Sequence, residues 1–263
     1  MSTLRQTAAN WCFYKEQDTP EAYLERLKAM GYHGIEMAPP AWFAVARATG
    51  LRVQNISGVG MNSGLNREAD HPEAVREVRV AIRLAQENAI PQVIVFAGAR
   101  AELSDEQGIA ACAKALRVLA PDAQRAGVTL ILEVLCAQNH PGYQADHSAY
   151  ALDVVKRVAS PAVKILYDIY HMQRMGEDVA EVIAREVQWI GHLHVAGSPK
   201  RDFPGPLQET DYQHAVQCAL GAGYDGCWGQ EFVPGPDIYA EMDAAKKLFD
   251  SYALAAGAAA APM

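Results

Sequence analysis

Four side chains with metal-binding chemistry occur where apolar, strand-like runs of the sequence end. They are Glu133 in Thr-Leu-Ile-Leu-Glu-Val-Leu, Asp168 in Lys-Ile-Leu-Tyr-Asp, His194 in Gly-His-Leu-His-Val, and Glu231 after Cys-Trp-Gly-Gln. Buried parallel strands are normally almost continuous runs of Val, Ile and Leu, so polar residues at these ends need a function. Three carboxylates and an imidazole brought together would repel each other or take up protons unless a positive group lay between them. Mixed oxygen and nitrogen ligands suit Mn²⁺, Mg²⁺ or Co²⁺.

The spacing of these residues places them on neighbouring strands. They are separated by 35, 26 and 37 residues, which is about one strand–helix unit each. In an α/β barrel, successive strand ends surround one mouth, where enzymes of this architecture have their active sites. A salt bridge would explain any one of the four alone, but not all four at corresponding ends of consecutive strands. We therefore predict that Glu133, Asp168, His194 and Glu231 bind one divalent metal ion.

Further side chains are expected at the same mouth. His171 follows the sixth predicted strand by two residues, where it could hydrogen-bond a substrate oxygen or cap a loop. Lys200, Arg201 and Asp202 lie in a loop with three prolines after the seventh predicted strand. A cation held over the mouth suits a carboxylate or a sugar hydroxyl, although such loops are often only solvated.

Other polar and aromatic residues near the predicted strand ends allow two interpretations. Glu36 ends the second strand and either lines the substrate pocket or pairs with a base such as Arg52. His192 is two residues before His194 and therefore faces the same side of its strand, deeper in the barrel. It is either a ligand or a hydrogen-bonding residue of the core. Several aromatic residues after the first two strands either wall a ligand pocket or belong to the core: Trp11, Phe13, Trp42 and Phe43.

The elements that must position these residues are eight β-type runs in alternation with amphipathic segments. The predicted strands are Thr7–Cys12, Gly34–Met37, Arg52–Ile56, Gln92–Phe96, Thr129–Val134, Lys164–Ile169, Gly191–Val195 and Gly226–Phe232. The predicted helices are Pro20–Met30, Trp42–Thr49, His71–Asn88, Asp105–Ala126, Ala145–Ala159, Asp178–Val187, Asp211–Ala222 and Asp237–Tyr252. Strict alternation of eight strands with helices is typical of a closed (β/α)₈ TIM barrel.

Length and end signals agree with one such α/β barrel over residues 1–263. A single barrel of about 250 residues fits the 263-residue length. Ser104 and Gln107 match a helix capping box, and Pro20 suits a first helical turn. An open doubly wound sheet is the alternative, but no GxGxxG follows the first strand. The alanine-rich end, Ala253–Met263, could prolong the last helix but is expected to fray.

Composition excludes several classes of protein. The chain has 23 basic and 31 acidic residues, a net charge of −8, which argues against a nucleic-acid binder. Its longest apolar stretches are far shorter than the roughly 20 residues of a membrane span. Polar residues in the first ten argue against a signal peptide, and five scattered cysteines indicate free thiols in a reducing cytoplasm. We therefore expect a cytoplasmic protein, which could form a homo-oligomer.

Two segments make the sequence familiar. Tyr167-Asp-Ile-Tyr-His-Met-Gln-Arg-Met175, followed by Ile190-Gly-His-Leu-His194, resembles the hydroxypyruvate isomerase family, within the larger xylose isomerase-like barrel superfamily. Shorter matches add support: Ala8-Ala-Asn10, Gly34-Ile-Glu36 and Gly223-Tyr-Asp-Gly-Cys-Trp-Gly-Gln-Glu231. The resemblance extends through nearly the whole chain.

The resemblance implies a metal-dependent isomerase or epimerase in which two glutamates move a proton beside a carbonyl group. Glu133 and Glu231 match the paired catalytic glutamates, which are also metal ligands. Asp168 and His194 match the other ligands, and His171 and Arg201 match the family's substrate-contacting His and Arg. The expected reaction converts hydroxypyruvate to tartronate semialdehyde through a cis-enediolate that the metal ion stabilises.

Departures from this resemblance concern the substrate. Hydroxypyruvate isomerases have Gln where this chain has His194, whereas ketose 3-epimerases have His. The isomerases also read Glu-Pro-Ile-Asn where this chain reads Glu133-Val-Leu-Cys136, and Tyr-Lys-Pro where it has Phe232-Val-Pro234, which removes a cation. A ketose 3-epimerase that uses the same site is therefore the alternative. Metal-assisted elimination or hydrolysis, and a catalytically inactive binding protein, are further possibilities.

Overall fold

Eight parallel strands close into a barrel in the computed structural model, which describes residues 4–15, 17–61 and 64–259. They are β1 (Gln6–Ala9), β2 (Gly34–Glu36), β3 (Arg52–Ser57), β4 (Gln92–Val95), β5 (Thr129–Glu133), β6 (Val163–Asp168), β7 (Ile190–Val195) and β8 (Trp228–Gln230). Each strand pairs in parallel with the next, and β8 pairs with β1 to close the sheet. The predicted TIM barrel is confirmed.

Helices between the strands cover the outside of the barrel. They are α1 (Asn10–Phe13), α2 (Pro20–Ala29), α3 (Phe43–Thr49), α4 (His71–Glu87), α5 (Asp105–Ala126), α6 (Ser148–Val158), α7 (Ile169–Arg174), α8 (Val179–Glu186), α9 (Tyr212–Gly221) and α10 (Ile238–Ala259). The predicted capping box is present at α5, where Ser104 and Gln107 satisfy each other's backbone N–H groups. None of the helices in the described ranges is long and apolar enough to span a membrane.

The structure differs from the sequence-based prediction at both ends of the chain. The first strand ends at Ala9 instead of Cys12, because the chain turns into α1, whose Phe13 packs edge-on against Phe232 at 4.9 Å. The last strand ends at Gln230, one residue before Glu231. Helix α10 continues to Ala259, past the position where we expected the chain to fray, and residues 260–263 lie outside the described residues.

Two irregularities in strand register determine which side chains enter the barrel. Between β2 and β3, Ile35 pairs with Val53 but Glu36 pairs with Asn55, so Gln54 is an extra residue. Between β6 and β7, the pairing moves from Ile190 to His192, so Gly191 is an extra residue. Bulges of this kind re-aim side chains near functional sites.

The interior of the barrel is layered because alternate residues of a strand face the same side. The layer below the predicted ligands contains the residues two positions before each of them: Ile131, Leu166, His192 and Gly229. Ile131 and Leu166 form a small apolar cluster with Ile94, separate from the main core between strands and helices. The layer directly beneath the predicted ligands is therefore apolar on the side of β5 and β6, and contains His192 and Gly229 on the side of β7 and β8.

Candidate metal and catalytic site

The four predicted ligands converge at the carboxyl end of the barrel. Glu133 and Asp168 end β5 and β6, His194 lies in β7, and Glu231 directly follows β8. One ligand atom from each lies within 4.8 Å of the others, and all four residues are buried. The Nδ1 atom of His194 is at the centre, 3.0 Å from Glu231 Oε2, 3.5 Å from Glu133 Oε1 and 4.0 Å from Asp168 Oδ2. The sequence therefore predicted this grouping correctly.

The chemistry of this donor set fits a divalent metal ion. His194 Nδ1 is buried and has no hydrogen bond of acceptable geometry, although it faces three carboxylates. A buried, unpaired polar atom is costly, and a metal ion would satisfy it together with the carboxylates. One nitrogen and three carboxylate donors suit ions such as Mn²⁺ and Mg²⁺. These residues can therefore bind a metal ion.

Crowding of charge shifts the pKa values of this cluster in the metal-free protein. Burial raises the pKa of Glu133. Burial also raises the pKa of Asp168 to about 7, with Arg201 opposing the shift and Glu231 adding to it. Burial would lower the pKa of His194, but the charges of Glu231 and Glu36 outweigh it and raise that pKa well above its usual value. Without a metal ion, protons therefore balance part of the negative charge.

Glu231 is the most firmly held of the three carboxylates. Its Oε2 accepts a hydrogen bond from Arg201 Nη2 at 2.6 Å, and its Oε1 accepts one from Trp11 Nε1 at 2.9 Å. Burial would raise its pKa, but His194, Arg201 and Trp11 together lower it below the usual value. Glu231 is therefore ionised, whereas the similarly buried Glu133 is biased towards its protonated form.

His171 and Arg201, the two predicted substrate contacts, lie beside this cluster. Arg201 Nη1 donates to His171 Nε2 at 3.1 Å, and the other ring nitrogen, Nδ1, is 3.1 Å from Cys136 Sγ. Burial and the Arg201 charge lower the pKa of His171, so the ring is neutral and its Nδ1–H points to the thiol. The backbone N–H of His171 donates to Asp168 Oδ1 at 3.0 Å. The site thus contains both residues, and their contact with substrate stays a prediction.

The sequence prediction for Glu36 disagrees with its position. Its side chain lies below the mouth, fully buried, and bonds to His192 and His194 instead of Arg52. Its two oxygens also accept hydrogen bonds from Thr7 Oγ1 and Asn55 Nδ2. Both carboxylate oxygens are occupied, so this geometry places Glu36 under the site and not against a substrate. The sequence analysis left His192 open between a metal ligand and a hydrogen-bonding residue of the core. In the structure it makes the hydrogen bond to Glu36 that the second interpretation predicts.

Trp11, which the sequence analysis left open between a pocket wall and the core, belongs to the site. Its indole donates to Glu231, and the Arg201 guanidinium lies over its ring at 5.2 Å and over the Tyr170 ring at 5.3 Å. Trp11 is 53% exposed, which is unusual for tryptophan and places its ring at the open mouth. No sequence signal separated the two interpretations, because the apolar run was predicted as a strand through Cys12.

Comparison with known proteins identifies the family of this barrel. The family model described as "Xylose isomerase-like TIM barrel" matches residues 24–248. The chain belongs to this family. The 2-oxo-tetronate isomerase of Cupriavidus necator is 32% identical over 108 residues, 41% of each chain. The hydroxypyruvate isomerase of Escherichia coli K12 is 30% identical over 158 residues, 60% of this chain and 61% of that one.

A solved structure has the same barrel fold. A structure of L-ribulose 3-epimerase superposes with a TM-score of 0.82 at 19% identity, covering 98% of this chain and 97% of that one. At this identity the likeness shows the fold alone. The alignments with the two isomerases span roughly half of their own lengths, so reaction and substrate are matters for proposal.

Proposed function

We propose that this chain is a metal-dependent isomerase of small 2-oxo hydroxy acids, which converts hydroxypyruvate to tartronate semialdehyde. The observation that carries the proposal is the pair of glutamates, Glu133 and Glu231, which lie 3.5 Å and 3.0 Å from His194 Nδ1 in one buried cluster. The names of the two curated relatives support the substrate class. The reaction removes one proton from the hydroxymethyl carbon and delivers one to the neighbouring carbon, while the hydroxyl oxygen loses its proton and the former carbonyl oxygen gains one. Two adjacent carboxyl groups can carry these protons.

The proposed cofactor is Mn²⁺, Mg²⁺ or Co²⁺, bound by the four clustered side chains. Such an ion would polarise the substrate carbonyl and stabilise the negative charge that develops when the adjacent C–H loses its proton. The side chains of this protein then have separate tasks. They must hold the substrate oxygens, keep water away and move a proton.

The two glutamates have different environments, which assigns their roles. Glu231 is fixed by hydrogen bonds from Trp11 and Arg201 and is ionised, so it removes the proton. Glu133 is 3.5 Å from His194 Nδ1, and burial raises its pKa, so it takes up the substrate hydroxyl proton and delivers it to the neighbouring carbon. Pairs of carboxyl groups whose surroundings separate their pKa values commonly divide acid and base roles in this way. Arg201 and His171 orient the substrate oxygens.

A ketose 3-epimerase is the second candidate. The ligand on β7 is His194, the residue found there in ketose 3-epimerases, and not the glutamine of hydroxypyruvate isomerases. The residue after Glu231 is Phe232, which is fully buried, where those isomerases place the first residue of a Tyr-Lys-Pro segment. The next residue is Val233, where those isomerases have lysine. One cation fewer is therefore available to attract a substrate carboxylate. In this reaction the second glutamate returns the proton to the same carbon on its opposite face.

One experiment separates these functions. The protein is loaded with Mn²⁺, incubated in D₂O with hydroxypyruvate, tagatose, fructose or erythrulose, freed of metal ion and followed by proton NMR. Formation of tartronate semialdehyde supports the isomerase, and a new epimer or deuterium exchange only with a ketose supports the epimerase. Glu231→Gln, loaded in the same way, is the control and should be inactive. If every substrate stays unchanged although Mn²⁺ binds, the protein is a binding protein or acts on another class of substrate.

A further inference from the structure

A buried hydrogen-bond network lies directly beneath the ligand cluster. At its centre is Glu36, whose Oε2 accepts from Asn55 Nδ2 at 2.6 Å and lies 2.8 Å from His194 Nε2. Its Oε1 accepts from Thr7 Oγ1 and lies 2.9 Å from His192 Nε2. All five side chains are buried. The carboxylate therefore has four partners, two at each oxygen, which come from three different parts of the barrel wall.

This network decides which nitrogen of His194 carries hydrogen. An ionised carboxylate can only accept hydrogen bonds, so the Nε2 atoms of both His192 and His194 must be donors. Once Nε2 carries the hydrogen, the lone pair of a neutral His194 ring is on Nδ1. Nδ1 is the atom that faces Glu133, Asp168 and Glu231. The hydrogen bond from Nε2 to Glu36 thus leaves the Nδ1 lone pair free to coordinate a metal ion.

Gly229 on β8 provides the space for this arrangement. A Cβ atom at this position would lie 2.7 Å from His194 Cδ2 and 2.9 Å from His192 Nε2, and would also collide with Glu36 Oε1. The φ angle of Gly229 is not in the left-handed region, so its backbone does not require glycine. The space filled by the carboxylate and the two imidazoles requires it instead.

We propose that Glu36 is a positioning residue that fixes the tautomer and ring orientation of His194. His192 hydrogen-bonds to the other oxygen of Glu36 and holds the carboxylate in place. The absence of a side chain at Gly229 leaves room for these three groups. This role rests on the metal site of the proposed function, because it concerns which atom of His194 faces the metal ion. Carboxylates that bond to the far nitrogen of a ligand histidine typically strengthen metal binding by about 10- to 100-fold. Neither contact with substrate nor direct ligation by Glu36 is needed.

The test compares Glu36→Gln with a matched control, Gln54→Met. The control removes another buried hydrogen bond of the barrel interior, from Gln54 Nε2 to Gln92 Oε1 at 3.0 Å, without touching His194. The first measurement is a ¹H–¹⁵N spectrum of the imidazole N–H groups in metal-free and Mg²⁺-loaded protein. The second is the dissociation constant of Mn²⁺ by calorimetry, with thermal unfolding as a check of folding.

Wild-type protein and the control should show both hydrogen-bonded Nε2–H signals, from His192 and His194. The glutamine in Glu36→Gln has one acceptor oxygen, so at least one signal should be lost and Mn²⁺ binding should weaken by about 10- to 100-fold. If both signals persist and affinity changes less than twofold, the proposal is wrong. Binding of two Mn²⁺ ions by wild type but one by Glu36→Gln would also overturn it, because Glu36 would then be a ligand.

Two further results keep the test decisive. If Glu36→Gln does not fold, Gly229→Ala keeps the carboxylate but crowds it, and should weaken Mn²⁺ binding by about tenfold or more if the positioning role is correct. An unchanged affinity in folded Gly229→Ala would contradict the role. If wild type shows both Nε2–H signals but binds no Mn²⁺, the metal site of the proposed function fails while the hydrogen-bond arrangement beneath it is supported.

Discussion

Metal binding should release protons, and its affinity should therefore rise with pH. In the metal-free protein the pKa of Asp168 is raised to about 7, mainly by burial, so its carboxyl group is half protonated at neutral pH. The pKa of His194 is raised well above its usual value, because Glu231 and Glu36 outweigh the opposing effect of burial. Both groups must lose their protons to act as ligands.

The magnitude follows from the number of protons displaced. At pH 7, His194 loses about one proton and Asp168 about half of one, and Glu133, whose pKa burial also raises, adds to this count. Each displaced proton changes the dissociation constant by about tenfold per pH unit. We expect Mn²⁺ affinity to rise at least about tenfold per pH unit between pH 6 and pH 8.

Isothermal calorimetry at several pH values measures this slope directly. Repeating each titration in two non-coordinating buffers of different ionisation enthalpy counts the protons released. His140→Gln is the control, because His140 lies near His171 but is not a predicted ligand, and burial lowers its pKa. The control should retain the wild-type slope. An affinity that is independent of pH, with no proton release, would refute the reasoning that protons and metal ion compete for one cluster.

Three further predictions follow from the site. Glu133→Gln and Glu231→Gln should each lower kcat by about 10²- to 10⁴-fold in steady-state assays, and retention of more than about a tenth would contradict the two-glutamate mechanism. Trp11→Phe removes the hydrogen bond to Glu231 at a half-exposed position and should lower kcat/KM about tenfold while Tm stays nearly constant. Stripping the metal ion with a chelator should lower Tm by about 5 to 10 °C relative to protein at 100 times the dissociation constant, and an unchanged Tm would argue against a buried metal site.

The sequence was sufficient for the barrel and for the ligand cluster, for a specific reason. Strict alternation of strands and helices determines a closed sheet, and its carboxyl ends share one mouth. Polar residues that interrupt apolar strands at these ends, such as Glu133 and Asp168, must therefore come together. No knowledge of side-chain conformation was needed for that step.

The height of a residue within the barrel was harder to predict. Glu36 ends its strand just as Glu133 does, but its carboxylate lies beneath the ligand cluster, bonded to His192 and His194. The hydropathy pattern marks both glutamates as polar residues at strand ends and does not distinguish their heights. The role of Trp11 was left open between pocket wall and core, because a strand predicted through Cys12 would place it inside the sheet, whereas the chain turns at Asn10 and brings the indole to the mouth.

The two halves of the chain contribute differently to this site, which has a consequence for how it assembles. All four predicted ligands belong to β5–β8, whereas the groups that support His194 from below, Thr7, Glu36 and Asn55, belong to β1–β3. A polypeptide of the second half alone would contain every ligand but none of that support. High affinity for the proposed metal ion would therefore require the closed barrel, in which the first and last strands have met. The metal ion would then bind after the barrel has closed, and would stabilise the closed barrel.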